Sequence, residues 1–524
     1  MRILLNYSIC LLAVLVLCLF FTSPAFCQQK EYKRPVYTKS WSEPSVQPDH
    51  IILTFSGDPA TSQSVTWRTD TTVHHALAEI ALANDAPRFW LLAKQQAAKT
   101  EKMDARGVKR AERTAHYHSA TFTGLLPDTT YAYRVGDGEH WSEWFHFRTA
   151  STKAAPFSFL YVGDAQNYIL ELWSRLIRSG YSKAPDARFI IHAGDLVSDA
   201  HSEEQWHEWF TAGGWIHGMV PSVPVPGNHE YEGYTQEAED RGQDQLSVQW
   251  KPQFTLPENG PEGMEETVYT LEYQGLKILA LNSVKNREEQ TRWMEAELKK
   301  NKQKWVIATF HHPVFSASQG RDNEALRKMW KPLFDQHGVD LVLQGHDHSY
   351  VRNTTPASAT NIVGGVNTRD QTTGTVYVVS VSGGKMYRLK ESWEEYGLER
   401  DRLAENTQLF QHIQILGDTL RYQAFTAVGD LYDAFDLVKQ ESGPNLMIDK
   451  SHQAIAERRH HNTIPYYDQL PAGAEAKLLK SYPDYKLDKV KYVKNTSFTG
   501  FEVALKKGKE TLNLLLSEAG EVLK

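Results

Sequence analysis

The sequence predicts a multidomain chain: an N-terminal all-β sandwich, a central α/β core and a small C-terminal α+β domain. Three observations carry this reading. Short alternating runs separated by turn residues fill positions 47–150. From 151 to 440, β-like apolar runs alternate with stretches of helical spacing. Beyond 466, one helical run precedes a series of alternating runs.

The first element is a leader. Arg2 precedes an apolar run from Ile9 to Phe21, followed by Ser23, Pro24 and Ala25, which reads as a secretory signal peptide over 1–27. The run is too short to favour a permanent membrane span. Cleavage after Cys27 leaves Ala25 and Cys27 at the small-residue positions; lipid attachment at Cys27 is the alternative, with bulky Phe26 beside it. All three cysteines, Cys10, Cys18 and Cys27, fall in this segment. The remainder is expected to be secreted or periplasmic without disulfides or a thiolate nucleophile, and a large core must stabilise it. Removing 1–27 takes away only Arg2 and leaves a net charge of −8, which argues against nucleic acid as a partner. Residues 28–46 read as a linker.

In 47–150, Ser64-Val65-Thr66-Trp67-Arg68 and His118-Ser119-Ala120-Thr121-Phe122 alternate as strands. Leu125, Pro127, Tyr131, Tyr133 and Val135 follow, and this stretch resembles the tyrosine corner of a fibronectin type III-like domain. Trp67 is expected in the core. Lys94 to Arg113, with seven Lys/Arg and three Asp/Glu, reads as a solvated hairpin extension.

The central core carries the chemistry. Five β-like runs each end in a polar cluster: Phe157–Val162 in Gly163-Asp164-Ala165-Gln166, Arg188–Ala193 in Gly194-Asp195, Val223–Pro226 in Gly227-Asn228-His229-Glu230, Trp305–Phe310 in His311-His312, and Val339–Gln344 in Gly345-His346-Asp347-His348. Function collects at the carboxyl ends of strands in open α/β sheets. Carboxylates, an amide and imidazoles together are the donors that two adjacent metals require, and carboxylate oxygens can bridge them. Such a pair activates water and stabilises an in-line displacement at phosphorus.

The ordered series resembles the calcineurin-like metallophosphoesterases, and among them the purple acid phosphatases, over about residues 45–440. The resemblance implies two facing sheets flanked by helices, and two metal ions of Fe, Zn or Mn type. It implies Asp164 and His348 on the first metal, Asp195 bridging, and Asn228, His311 and His346 on the second. It implies His229 as phosphate contact and proton donor to the leaving oxygen, beside Asn228. A sandwich of the kind seen here precedes the core in plant-like members. Two positions depart from the pattern. Ser198 replaces the motif tyrosine, so no tyrosinate-to-iron colour is expected, and Gln166 replaces a glycine where it could offer an amide oxygen to the first metal. Tyr168 lies nearby on a helical position and is not expected to substitute.

Helical spacing marks Ile169–Ile177, Arg287–Lys302 and Asn323–His337. His192 reads as a packed histidine, and His201, His207 and His217 as members of a Trp-rich segment. Tyr231 and His312 are candidates for the pocket wall, with Glu230 orienting His229. Residues 441–465 read as a linker containing His460 and His461. Residues 466–524 resemble, by pattern alone, a small PepSY-like domain.

The expected function is a secreted dinuclear phosphohydrolase acting on phosphomonoesters. A phosphodiesterase or nucleotidase on the same site is the alternative, and a surface binding protein with a relic site is a third reading. A phosphoester is the expected partner; oligomeric state cannot be read from the residues.

Overall fold

The computed structural model describes residues 34–105, 108, 113–233, 245–356, 370–390, 392–396, 398, 400–458, 470, 473–494, 498–508 and 510–523. The leader over 1–27 and His460 and His461 lie outside these residues. No helix among them is long and apolar enough to cross a membrane. Residues 38–466 form one compact unit, and residues from 467 onward belong to a second.

Alternation produces the sandwich as expected. One sheet pairs Ser62–Thr69 with Asp49–Thr54 and with Thr114–Thr123, in a register set by Val65 opposite Ala120. The other pairs Leu77–Leu82 with Thr130–Gly136, then Phe145–Arg148. Leu53, Val65, Trp67, Phe122, Tyr133, Val135 and Phe147 meet between the sheets. The Tyr131 hydroxyl accepts the backbone N–H of Leu126 at 2.8 Å, which ties the corner. The basic stretch is largely exposed, and its two strands join different sheets: Lys94–Ala97 pairs with Leu77–Leu82, and Lys99–Asp104 pairs with Thr114–Thr123.

The sandwich is fastened to the core by buried polar contacts. Arg68, fully buried, pairs with Asp49 at 2.5 Å and with Glu203 of the core helix Glu203–Gly213. The Tyr133 hydroxyl donates to the Gly218 carbonyl at 2.7 Å. Removing one partner of such a buried pair leaves an uncompensated charge, so these contacts define how the two domains sit.

In the core, Phe157–Val162 runs parallel to Ile190–His192, which runs parallel to Ser222–Pro224. On its other side the antiparallel strands Leu409–Leu416, Thr419–Thr426 and Leu431–Val438 continue this first sheet. The second sheet contains Leu276–Ala280, Trp305–Phe310, Leu341–Gln344 and Asp370–Val379, all parallel. The period of two decides the layers. Ile278, Ile307, Leu341 and Leu343 face the first sheet's apolar residues. Leu279, Val306, Ala308 and Val342 face outward onto Met294 and Leu298 of helix Arg287–Lys299 and Trp330 and Phe334 of helix Glu324–His337. The expected facing sheets and flanking helices are therefore present.

One boundary needs correction. Residues 445–449, expected within a linker, form a strand that pairs with Leu431–Val438 on one side and Asp370–Val379 on the other, joining the two sheets. Its hold is partly ionic: buried Arg352 reaches Asp433 at 2.8 Å and Asp449 at 3.4 Å. Helical spacing after Asp164 also resolves differently in detail. Ile169–Trp173 forms a wide π-type turn before the α-helix Ser174–Lys183.

The second unit is a helix, Ala474–Ser481, with an antiparallel sheet of Lys486–Lys494, Thr499–Lys507 and Glu510–Ser517. Leu478, Phe501, Val503, Leu505, Leu514 and Leu516 form its core. It is α+β, as the pattern predicts.

Candidate metal centre

Each polar cluster leaves its strand at the same edge of the facing sheets, and at Asp164, Asp195, Asn228 and His346 a glycine directly before the donor keeps the turn tight. At Gly194, with φ of +85°, an added Cβ would lie 2.7 Å from the Gly227 nitrogen and 2.8 Å from His311 Nδ1. At Gly227 it would fall on Asp195 Oδ1. Only glycine allows two turns to approach this closely.

The turns bring together Asp164, Asp195, Asn228, His311, His346 and His348. Asp195 Oδ2 lies 3.1 Å from His311 Nε2. His311 Nε2 lies 3.1 Å from Asn228 Oδ1 and 3.2 Å from His346 Nδ1, which is itself 3.0 Å from Asn228 Oδ1. Asp195, His311 and His346 form one donor cluster; Asp164, Asp195 and His348 form another, sharing Asp195. Both Asp164 oxygens accept the His346 backbone N–H at 2.9 Å, and His348 Nε2 lies 3.7 Å from Asp164 Oδ1.

The chemistry of these donors fits a pair of cations. His311 Nδ1 is 2.9 Å from the Ala193 carbonyl, and His348 Nδ1 is 2.9 Å from the Lys385 carbonyl. Each Nδ1 must carry the hydrogen, which turns the Nε2 lone pair inward. Lone pairs of Asp195, Asn228, His311 and His346 then converge with too few hydrogens among them. Donors about 2.1 Å from one shared ion stand roughly 3.0–3.4 Å apart, as these do.

Charges respond accordingly. Burial alone would raise Asp195, but the imidazoles of His311 and His229 outweigh it and hold the carboxyl below its usual range. Burial opposes protonation of His311, yet Asp195 pushes it up to about 9. Burial, with His312 and Arg321 nearby, lowers His346. Burial, with Lys385, lowers His348. A buried carboxylate paired with an imidazole is a charge pattern that a ligated cation replaces.

Gln166 belongs to this constellation. Its Nε2 lies 2.7 Å from Asp195 Oδ2 and 3.4 Å from His348 Nε2, while its Oε1 is buried without a hydrogen-bond partner. A half-turn of the amide, which leaves its outline unchanged, would set Oε1 beside Asp195 Oδ2 and His348 Nε2. Ser198, in the tyrosine position, has its hydroxyl oxygen 2.9 Å from Asn167 Nδ2. Tyr168 is 38% exposed.

His229 lies next to Asn228, with its backbone N–H on Asp195 Oδ1 at 3.0 Å. Its Nδ1 is 2.7 Å from the Ser198 carbonyl. That carbonyl, and not Glu230, orients the ring. Glu230 instead accepts four backbone N–H groups: Asp195 at 2.9 Å, Leu196 at 2.8 Å, Val197 at 3.3 Å and Gly227 at 2.7 Å. Burial and then the charge of Asp195 push its carboxyl up to about 7. Glu230 thus ties the bridging turn to the Asn228 turn, a role that adjacency to His229 in sequence conceals.

Of the two pocket candidates, His312 is buried with its ring 4.3 Å from that of His346 and its Nδ1 2.9 Å from the Ser283 hydroxyl. Tyr231 is buried, and its hydroxyl takes the Asn282 amide at 2.7 Å. His192 and His217 pack against Trp209, at ring-centroid distances of 5.3 Å and 4.2 Å. His201 contacts Glu232 at 3.0 Å, and His207 contacts His50 at 3.0 Å. Asp49, His50 and His207 also gather, but the Arg68 guanidinium occupies both oxygens of Asp49 and repels a cation there.

Two family models match the chain. Residues 157–350 match the calcineurin-like phosphoesterases, and residues 48–149 match the purple acid phosphatase N-terminal domain. The chain carries a calcineurin-like phosphoesterase domain and is a hydrolase of phosphoric esters. Within that class it has the domain pair of the purple acid phosphatases. It is 26% identical to acid phosphatase type 7 of Homo sapiens over 425 residues, 72% of this chain and 90% of the relative. It is 26% identical to the Fe(3+)-Zn(2+) purple acid phosphatase 12 of Arabidopsis thaliana over 270 residues, 48% of this chain and 56% of the relative. The solved purple acid phosphatase PPD1 of yellow lupin shares the fold, with a TM-score of 0.62 at 19% identity over 75% of each chain.

Proposed function

We propose that the chain is a secreted phosphomonoesterase that works with two metal ions of Fe, Zn or Mn type. The observation that supports this most strongly is the sharing of Asp195 between two donor clusters. Asp164, His348 and Gln166 would hold the first ion, Asn228, His311 and His346 the second, and Asp195 both. When bound, such a pair lowers the pKa of water and neutralises charge on phosphate oxygens.

The chain's own groups complete the chemistry. The Ser198 carbonyl receives the Nδ1 hydrogen of His229 and leaves Nε2 as the atom that hands a proton to the departing alkoxide. Asn228 and His229 would contact the phosphate, and His312 and Tyr231 would wall the pocket. Secretion rests on the apolar run from Ile9 to Phe21 behind Arg2.

The test is hydrolysis of a matched aryl phosphate monoester and diester by the purified chain, with metal content measured on the same sample. Monoester preference with about two metals per chain is expected. Diester preference would transfer the assignment to phosphodiesters, and turnover unaffected by metal removal would overturn it.

A further inference from the structure

The turn carrying His346 and His348 has a cationic outer wall that the reaction described above does not use. Arg321 Nη1 donates to the His346 carbonyl at 3.1 Å and lies 3.5 Å from Asp347 Oδ1. That carboxylate is already engaged: its Oδ2 takes the Ser316 hydroxyl and the N–H groups of Ala317 and Ser318. The Arg321 guanidinium lies 4.6 Å from the centre of the Tyr387 ring, and its Nη2 is only 3.4 Å from the Tyr387 hydroxyl. The same ring packs 4.6 Å from His348. Lys385, whose carbonyl orients His348, places its amine 5.1 Å from the Tyr387 ring, with no carboxylate within ion-pair distance among the described residues. Two cations thus flank one aromatic ring that itself touches a metal-site histidine.

Arg321 also lines a groove of about 590 Å³ together with Gln319, Gly320, Asp322, Lys390, Ser392 and Glu395. The other charges in that groove are matched. Asp322 is held by Arg327 at 2.6 Å, and Lys390 is paired with Glu395. Arg321 is therefore its under-neutralised cation, and it is the groove residue that reaches the His346 turn. A guanidinium with spare N–H groups is suited to a carboxylate or phosphate.

We infer that Arg321 and Lys385 form a leaving-group subsite that selects phosphoesters bearing a second anion, a carboxylate or a further phosphoryl group, close to the scissile phosphorus. The inference rests on the phosphoesterase reading of the metal centre. The phosphate would sit on the metals, and the second anion in the groove mouth. Neutral alkyl or aryl leaving groups gain nothing from this wall.

The experiment uses non-hydrolysable ligands, so that binding is read apart from turnover. Titration calorimetry on the metal-loaded full chain compares methylphosphonate with phosphonoacetate, which adds one carboxylate. Phosphonoacetate is expected to bind at least tenfold more tightly, with that ratio falling toward one in Arg321→Met, partly restored in Arg321→Lys, and reduced in Lys385→Met. The ratio cancels general damage to the metal site. Equal affinities in the parent chain, or a ratio unchanged by Arg321→Met, would overturn the subsite. A preserved ratio in a chain that hydrolyses no phosphoester would overturn the enzymatic reading and leave the subsite standing.

Discussion

Replacing Glu230 with glutamine isolates the positioning of the metal turns from their chemistry. The carboxylate accepts Asp195 and Gly227 N–H groups on Oε2, and Leu196 and Val197 on Oε1. A glutamine of the same shape keeps one oxygen and turns an NH₂ toward the other pair. Whichever way the amide points, two buried N–H donors face a donor. Each such orphan costs about 1–3 kcal/mol, so the change costs about 2–6 kcal/mol. Relief of repulsion between Glu230 and Asp195 offsets part of this. The cost falls on the turns that carry Asp195 and Asn228. Urea unfolding near pH 8, where Glu230 is ionised, should show a lowered midpoint, and elemental analysis should show lost metal. A variant with an unchanged midpoint and a full metal complement would refute the argument that Glu230 ties these turns together.

His229→Ala should lower turnover of an alkyl phosphate by about 10²–10⁴-fold while metals stay bound, with a smaller loss on a nitrophenyl ester, whose leaving group needs no proton. Equal losses on both esters would remove the general-acid role. Gly227→Ala should expel metal, because its Cβ falls on Asp195 Oδ1; retention of both ions on elemental analysis would count against the crowding seen there. His217 is buried against Trp209, and burial lowers it to about 3. Its unfolded counterpart titrates near 6.5, so stability is complete above that pH and is lost as pH falls toward 3, about 2 kcal/mol of it by pH 5. His217→Gln should flatten the stability–pH slope between pH 5 and 7, and superimposable slopes would contradict this.

The sandwich, the alternating core and the six donors could be read because each is encoded locally. An apolar run that ends in a metal-type side chain is a signal of six to eight adjacent residues, and it recurs five times in order, four times with glycine before the donor. Even the departures were readable: Gln166 and Ser198 stand where the motif requires them to be noticed. What could not be read depends on single residues far apart in the chain. Arg352 anchors the strand Asn445–Asp449 through Asp433 and Asp449, and no periodicity announces a five-residue strand of which only Asn445 and Met447 are buried. Glu230 sits in the right motif but works on backbone amides 33–35 residues away. Arg321, Lys385 and Tyr387 carry no motif, and only the fold brings them to His346 and His348.

The most direct test of the dinuclear account is a reconstitution titration. Chain stripped of metal by chelation is given increasing equivalents of Fe, Zn or Mn, and phosphomonoester turnover is followed alongside bound metal. Activity that rises until about two equivalents are bound, and that fails to appear in Asp195→Ala, is the result predicted from the shared carboxylate. Full activity at one equivalent, or in Asp195→Ala, would contradict it.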